Sequence, residues 1–168
     1  LEEAREMVIR TRDPRNGRPL ELSMYISGRY AVKCTGKRNF PDGEVFTSPD
    51  ARTPEGEIFV DLPVYYDGVT LQGIYLKLEA GNIVDFSAMR EEETLRTIIE
   101  TDTGSRRLGE VALGMNAGLT RALKHPLFVE KVGGTLHIAI GASYPECYVR
   151  EPNSPDSAPR LDSLYQQG

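Results

Sequence analysis

Three ionisable residues lie in stretches of sequence that are otherwise mostly apolar. Glu44 precedes a Val-Phe pair, Glu110 is the single charge in residues 109–113, and His137 interrupts the run of residues 135–140. A carboxylate in an apolar setting costs free energy unless it is paired or bound to a cation. No Lys or Arg stands out as a matching neighbour, so the three residues together suggest a metal site. Carboxylate oxygen and imidazole nitrogen are ligands that suit zinc, cobalt or manganese.

Ordinary structural roles remain open for the same residues. Glu44 could be a solvated loop charge, Glu110 an exposed residue on an edge strand, and His137 a hydrogen-bonded core histidine. His125, which precedes Pro126, is interpreted as a residue at a helix end. The spacing of these residues does not by itself choose between the ordinary roles and a metal site.

Sequence motifs for other kinds of catalysis are absent. The sequence has no GxSxG, no Walker loop, no GxGxxG after a strand and no HExxH. A glycosidase that uses a pair of carboxylates stays open, but it leaves His137 without a role.

The 168-residue chain has the composition of an ordinary globular domain, with 39% hydrophobic and 27% charged residues. Its formal net charge of −5 gives no general electrostatic basis for binding nucleic acid or an anionic membrane. No apolar run approaches the ~20 residues that span a bilayer.

Cys34 and Cys147 match no metal-binding or redox spacing. They are most simply interpreted as reduced thiols of a cytoplasmic protein, with one disulfide as the alternative.

The candidate residues must be positioned by secondary structure, and the patterns predict an α+β fold with an antiparallel-rich mixed sheet and a few helices. Turn residues at Asp67-Gly68 and Ala80-Gly81 separate three strands and predict an antiparallel meander. Pro and Gly predict a long loop over residues 35–54 and a loop or tail over residues 145–159. The predicted strands are residues 20–26, 29–34, 57–66, 69–79, 82–87 and 135–140, and the predicted helices are residues 1–12, 90–101 and 119–124.

Three longer segments carry a resemblance to a known family: NFPDGEVFT at residues 39–47, TDTGSRRLGEVA at 101–112 and EKVGGTLHIAIG at 130–141. In the same order, they closely resemble the thermophilic aminopeptidase family of the aminopeptidase T and aminopeptidase S type. The resemblance implies that the chain is part of the metal-binding domain of a two-domain, homodimeric peptidase. Such an enzyme would use two divalent ions (zinc, cobalt or manganese) to remove N-terminal residues from peptides with a free N terminus.

The same resemblance assigns roles to five residues. Glu44, Glu130 and His137 are implied to be metal ligands, and Glu110 a metal ligand that spans the two ions and a catalytic residue. Tyr144 matches an active-site tyrosine, whose hydroxyl would donate a hydrogen bond to the oxyanion formed at the peptide carbonyl. The expected reaction is attack on the first peptide bond by a hydroxide that the two ions share. Two alternatives stay open: a metal-free domain for binding or dimer formation, and a hydrolase that uses carboxylates alone.

The sequence departs from the family pattern in one respect. The family has a His-x-Asp pair of metal ligands further along the chain, and no histidine follows His137 here. The chain also begins at Leu1 rather than Met, and the family's N-terminal α/β domain is not represented. We therefore expect residues 1–168 to be the leading part of a catalytic domain, with weak metal binding and little activity by themselves.

Overall fold

The computed structural model describes residues 1, 3–37, 39–119 and 126–148, and the α+β prediction is confirmed. Within these residues the chain forms ten strands and two α-helices, and neighbouring strands are antiparallel. The strands are Glu6–Arg12 (β1), Pro19–Tyr25 (β2), Val32–Cys34 (β3), Glu44–Thr47 (β4), Glu55–Val60 (β5), Val64–Tyr66 (β6), Val69–Glu79 (β7), Asn82–Arg90 (β8), Leu108–Gly114 (β9) and Leu136–Ile140 (β10), and the helices are Glu92–Ile99 (α1) and Pro126–Val129 (α2).

The larger sheet has six strands, in the order β1-β2-β5-β7-β6, with β8 also paired to β7. Its hairpins turn at Asp67-Gly68 and Ala80-Gly81, where all four residues have positive φ, as tight hairpin turns require. The inner face of this sheet carries most of the main hydrophobic core, in which Leu22 and Leu78 are fully buried. Helix α1 packs against β7 and β8. The predicted antiparallel meander is therefore confirmed.

The smaller sheet has four strands, in the order β10-β9-β4-β3. Val111 on β9 belongs to the main core, and its cross-strand partner Ile138 on β10 packs against that core. Since successive side chains of a strand point to opposite faces, the neighbouring residues Glu110 and His137 point away from the main core. One face of the smaller sheet thus contributes to folding, and the other face is available for chemistry.

The helix predicted for residues 1–12 is wrong, because Glu6–Arg12 is strand β1. Exposed residues along β1 alternate with the less exposed Met7, Ile9 and Thr11, and a period of two residues is that of a strand. The charges that suggested a helix dipole instead pair across the sheet: Arg10 Nε lies 2.8 Å from Glu21 Oε2 on β2.

Two further predictions are corrected in the middle of the chain. The loop predicted for residues 35–54 contains β4, a strand too short to show a clear period. The single strand predicted for residues 57–66 is divided into β5 and β6, both of which pair with β7. Pro63 lies between them, and proline has no N–H to contribute to a strand ladder.

The other predicted elements agree with the structure within a few residues, except that the strand predicted for residues 29–34 begins only at Val32. A short 3₁₀ helix, Pro145–Cys147, lies at the start of the predicted tail. Three predictions lie outside the described residues: most of the helix predicted for residues 119–124, the position of His125, and residues 149–159 of the predicted tail.

Cys34 and Cys147 are free thiols. Among the described residues, no helix is both long enough and apolar enough to span a membrane.

Candidate metal centre

The register of three neighbouring strands brings the sequence-predicted residues onto one face. Glu44 on β4 pairs with Gly114 on β9, and His137 on β10 pairs with Ala112 on β9. Residues 110, 112 and 114 are every second residue of β9, so their side chains point to the same face of the sheet. Glu110 therefore lies on the face that carries Glu44 and His137. Gly114 lets the chain after α2 pack directly over β9, because a Cβ at this position would lie 2.1 Å from the carbonyl oxygen of Val132.

The atoms that could bind a cation face one another on this surface. Nε2 of His137 lies 3.4 Å from Oε2 of Glu44 and 3.8 Å from Oε1 of Glu110. A ligand atom from each of the three side chains lies within 4.8 Å of the others. Two ligand atoms that are each about 2.1 Å from a tetrahedral ion lie about 3.4 Å apart. The three side chains therefore form a donor set of a suitable size for one divalent ion.

Unsatisfied polar atoms in this cluster indicate the same chemistry. Glu44 and Glu110 are each only 7% exposed, so the interpretations as a solvated loop charge and an exposed edge residue are wrong. Oε2 of Glu44 and Nδ1 of His137 are buried and have no hydrogen-bond partner among the described residues. Leaving a buried carboxylate oxygen without a partner costs free energy. A cation bound by Oε2 would remove that cost.

A buried lysine next to the cluster corrects the expectation that no Lys matches these carboxylates. Nζ of Lys131 lies 2.5 Å from Oε1 of Glu44 and 3.3 Å from Oε2 of Glu130. The backbone of Lys131 is held on both sides: its N–H donates to Phe128 and its carbonyl accepts from Asn116. The turn after α2 therefore directs the ammonium group toward β4.

The charge of Lys131 is stabilised by its neighbours. Burial alone would lower the pKa of Lys131, but the hydrogen bond and attraction to Glu44, with a smaller contribution from Glu130, raise that pKa above its ordinary value. Lys131 is only 1% exposed. The group therefore remains an ammonium ion at neutral pH, enclosed beside the carboxylates.

Glu130 does not join the three clustered side chains. Its side chain is 41% exposed, and its carboxylate contacts the ammonium of Lys131. Among the described residues, the groups of clustered candidate ligands do not include it. The role of Glu130 as a metal ligand stays a prediction of the family resemblance.

Tyr144 lies at the edge of the same face. Its ring packs against Phe46, two residues after Glu44 on β4, with ring centroids 4.7 Å apart. Its backbone N–H donates to Oγ of Ser48. Tyr144 is thereby fixed near the cluster, and its predicted catalytic role stays a prediction.

A second group of candidate ligands shares Glu44 and consists of Cys34, Asp42 and Glu44. Asp42 is engaged in its own loop, since its two carboxylate oxygens accept from the backbone N–H groups of Gly36 and Gly43. Burial, followed by the charges of Glu44 and Asp42, raises the pKa of the Cys34 thiol to about 11. Cys34 is therefore protonated at neutral pH, and only the thiolate form binds metals well.

The sequence reasoning missed Lys131, Cys34 and Asp42 as neighbours of the site. Asp42 stands two residues before Glu44, a spacing that would place both on one face if β4 had been predicted as a strand. Cys34 comes next to Glu44 through the pairing of β3 with β4. Lys131 gives no comparable signal, because its direction is set by contacts of the turn after α2.

The fold and site together define an α+β domain with a buried set of carboxylate and imidazole ligands. Residues 20–160 match the family described as thermophilic metalloprotease (M29). Because this match covers most of the sequence, the chain belongs to that family.

Relatives with curated names are aminopeptidases. The chain is 36% identical over 124 residues to aminopeptidase 2 of Geobacillus stearothermophilus, a match that covers 70% of this chain and 30% of that protein. It is 38% identical over 112 residues to aminopeptidase T of Thermus thermophilus, with 64% of this chain and 27% of that protein covered. The chain thus spans less than a third of the length of these relatives.

Two solved structures share the fold. AmpT from Thermus thermophilus matches with a TM-score of 0.70 and 30% identity, covering 84% of this chain and 37% of that one. A 2,5-dihydroxypyridine dioxygenase from Pseudomonas putida matches with a TM-score of 0.62 and 18% identity, covering 84% and 45%. At that identity the second likeness shows the fold alone. Since proteins of different named activities share this fold, function must be argued from the side chains of the site.

Proposed function

We propose that this chain is part of the metal-binding domain of a divalent-metal-dependent aminopeptidase. The observation that carries the proposal is the convergence of Glu44, Glu110 and His137 on one face of the smaller sheet, with ligand atoms within 4.8 Å of one another. Membership of a metalloprotease family supports the metal. The names of the relatives support peptides with a free N terminus as the substrates.

Each residue of the cluster has a defined task in this proposal. Glu44 and His137 would hold a divalent ion through Oε2 and Nε2, the atoms that face each other, and Glu110 would complete the set through Oε1. When bound, such an ion polarises a substrate carbonyl and lowers the pKa of a coordinated water toward about 7, which makes hydroxide available at neutral pH. Because both carboxylates are buried, solvent screens their charge less, and their attraction for a cation is stronger.

The two-ion form implied by the family resemblance requires more of the chain. Glu110 would span both ions, Glu130 would complete the ligand shells with Glu44 and His137, and the hydroxyl of Tyr144 would stabilise the oxyanion. The ring contact with Phe46 supports the position of Tyr144 beside the cluster. Glu130 instead contacts the ammonium of Lys131. A second ion near Glu130 would have to share this carboxylate with Lys131 or displace the ammonium.

Thermal unfolding with cobalt or zinc tests whether the cluster binds metal. A ligand that binds only the folded chain raises its melting temperature. We expect the metal to raise the melting temperature of the wild-type chain and a chelator to reverse the increase. Glu110→Gln should lose the increase, because a neutral amide is a poor ligand. The matched control is Glu79→Gln, a change at an exposed carboxylate that pairs with Lys77 on β7, and it should keep the increase.

The alternatives predict different results in the same experiment. A chain that ignores metal and chelator but hydrolyses peptides would support the carboxylate-only hydrolase. A chain whose melting temperature responds to neither saturating metal nor chelator, and which hydrolyses nothing, would support the metal-free binding domain on the melting temperature alone, because little activity is expected of residues 1–168 in any case. If metal is bound, unchanged metal-dependent release of N-terminal leucine in Glu110→Gln would exclude Glu110 from the reaction. A Glu110→Gln variant that still binds metal but no longer releases leucine would support a catalytic role for Glu110.

Four further predictions belong to this proposal. The resemblance implies a homodimer, and the simplest interpretation of Cys34 and Cys147 as reduced thiols favours a cytoplasmic location. The ligand types suit zinc, cobalt or manganese, and the missing His-x-Asp pair predicts weak metal binding and little activity for residues 1–168.

A further inference from the structure

Lys131 places a positive charge at the position where two predicted metal-ligand carboxylates approach each other. We propose that the ammonium of Lys131 takes the place of the second divalent ion, so that this site holds one divalent ion and one ammonium group. The inference rests on the proposed function, since it presumes that Glu44, Glu110 and His137 bind a metal.

The two oxygens of Glu44 face different cation positions. Oε1 accepts the hydrogen bond from Nζ of Lys131 at 2.5 Å. Oε2 faces Nε2 of His137 at 3.4 Å and has no hydrogen-bond partner among the described residues. Glu44 therefore spans one position filled by the ammonium and one position suited to a metal. The carboxylate that lies between the two cation positions is thus Glu44, whereas the resemblance implies Glu110 for that role.

The contacts of Glu130 agree with this assignment. Its Oε2 lies 3.3 Å from Nζ of Lys131, and its carboxylate is outside the group formed by Glu44, Glu110 and His137. The ammonium thus lies between Glu44 and Glu130, two carboxylates that the resemblance implies to be metal ligands. In this chain Glu130 positions Lys131 and does not bind the metal.

The surroundings of Lys131 hold it in this position. The residue is 1% exposed, and its backbone is fixed by hydrogen bonds to Phe128 and Asn116. A second ion near Glu130 would have to displace a buried ammonium group from its contacts with two carboxylates.

Counting bound metal ions tests the inference directly. The purified chain and its variants are titrated with zinc, and the ions per chain are measured by native mass spectrometry and calorimetry. We expect one ion in the wild type and two in Lys131→Met, which removes the charge and keeps an unbranched side chain of similar length. Lys131→Arg keeps a cation at the position and should bind one ion. Lys77→Met is the matched control, since Lys77 pairs with Glu79 on the larger sheet, and it should also bind one.

Each other outcome has a definite meaning. Two ions in the wild type or in Lys131→Arg would overturn the inference and leave the proposed function intact. One ion in Lys131→Met would also overturn it, because the ammonium would then not be what excludes the second ion. No bound ion in any variant would reject the proposed function itself. If Lys131→Met does not fold, the counts for the wild type and Lys131→Arg still decide.

Discussion

The two sheets share one hydrophobic core but differ in what their other faces bury. The outer surface of the larger sheet carries solvated ion pairs, such as Arg10 with Glu21, whose side chains are 73% and 54% exposed. The smaller sheet buries a pair of the same chemistry, Lys131 with Glu44, whose side chains are 2% and 7% exposed. The smaller sheet therefore keeps a charged pair buried, although removing these charges from water costs free energy.

The two sheets therefore differ in the interactions that stabilise them. The larger sheet is held by burial of apolar area, which stabilises by about 25 cal/mol per Å². The outer face of the smaller sheet buries a small apolar cluster of Phe46, Ala112 and Cys147 and, in addition, matched charges, so the loss of one charged partner leaves another buried charge uncompensated. Substitutions in the two sheets should therefore differ in stability, in metal binding and in how far a second substitution restores the fold.

Breaking the buried pair of the smaller sheet should have the largest effect. Glu44→Leu leaves the ammonium of Lys131 buried with its main partner removed, and breaking a buried pair in this way costs about 3–5 kcal/mol. Urea unfolding in the presence of a chelator measures this cost without a contribution from metal. The same variant should lose metal binding, because Oε2 of Glu44 belongs to the predicted ligand set.

A double variant provides the control for this prediction. Glu44→Leu with Lys131→Met replaces both charges by apolar groups, and such replacements are often neutral or stabilising. We expect most of the lost stability to return while metal binding stays lost. If the double variant were as unstable as the sum of the single variants, packing and not charge would explain the effect of Glu44→Leu.

Removing a core side chain from the larger sheet should give the opposite pattern. Leu78 on β7 is fully buried in the main core, and Leu→Ala changes in cores cost about 2–5 kcal/mol. Leu78→Ala should therefore destabilise the chain in urea while the number of zinc ions bound at low temperature stays the same. Leu62→Ala, at a residue that is 39% exposed, is the matched control and should change stability little. Loss of zinc binding in folded Leu78→Ala would show that the two regions are coupled.

The larger sheet was also the more predictable region, because its signals are local. Alternating residues and the turns at Asp67-Gly68 and Ala80-Gly81 locate β7 and β8 from the sequence alone. The failure at β1 has a local cause too, since an acidic start and a basic end resemble a helix until the pairing of Arg10 with Glu21 is known. Only the partner strand shows that these charges belong to a sheet.

The smaller sheet was predictable in its residue types but not in its geometry. Glu44, Glu110 and His137 were found because they are polar residues in apolar segments, and the structure brings these three together. Strand β4 was missed because four residues do not establish a period. Lys131 was missed because its position depends on a turn that packs against Asn116, a contact that no local pattern encodes.

Neutralising a solvated pair on the larger sheet should have the smallest effect, and it isolates burial as the cause of the contrast. Glu21→Gln removes the partner of Arg10, but both side chains remain hydrated, and exposed pairs contribute about 0.2–1 kcal/mol. The loss should shrink further in about 1 M salt, because salt screens the attraction between solvent-exposed charges. A double-mutant cycle of Glu21→Gln with Arg10→Gln, measured by urea unfolding at low and high salt, gives the interaction energy. An interaction as large as that between Glu44 and Lys131 would show that pairing geometry, and not burial, distinguishes the two sheets.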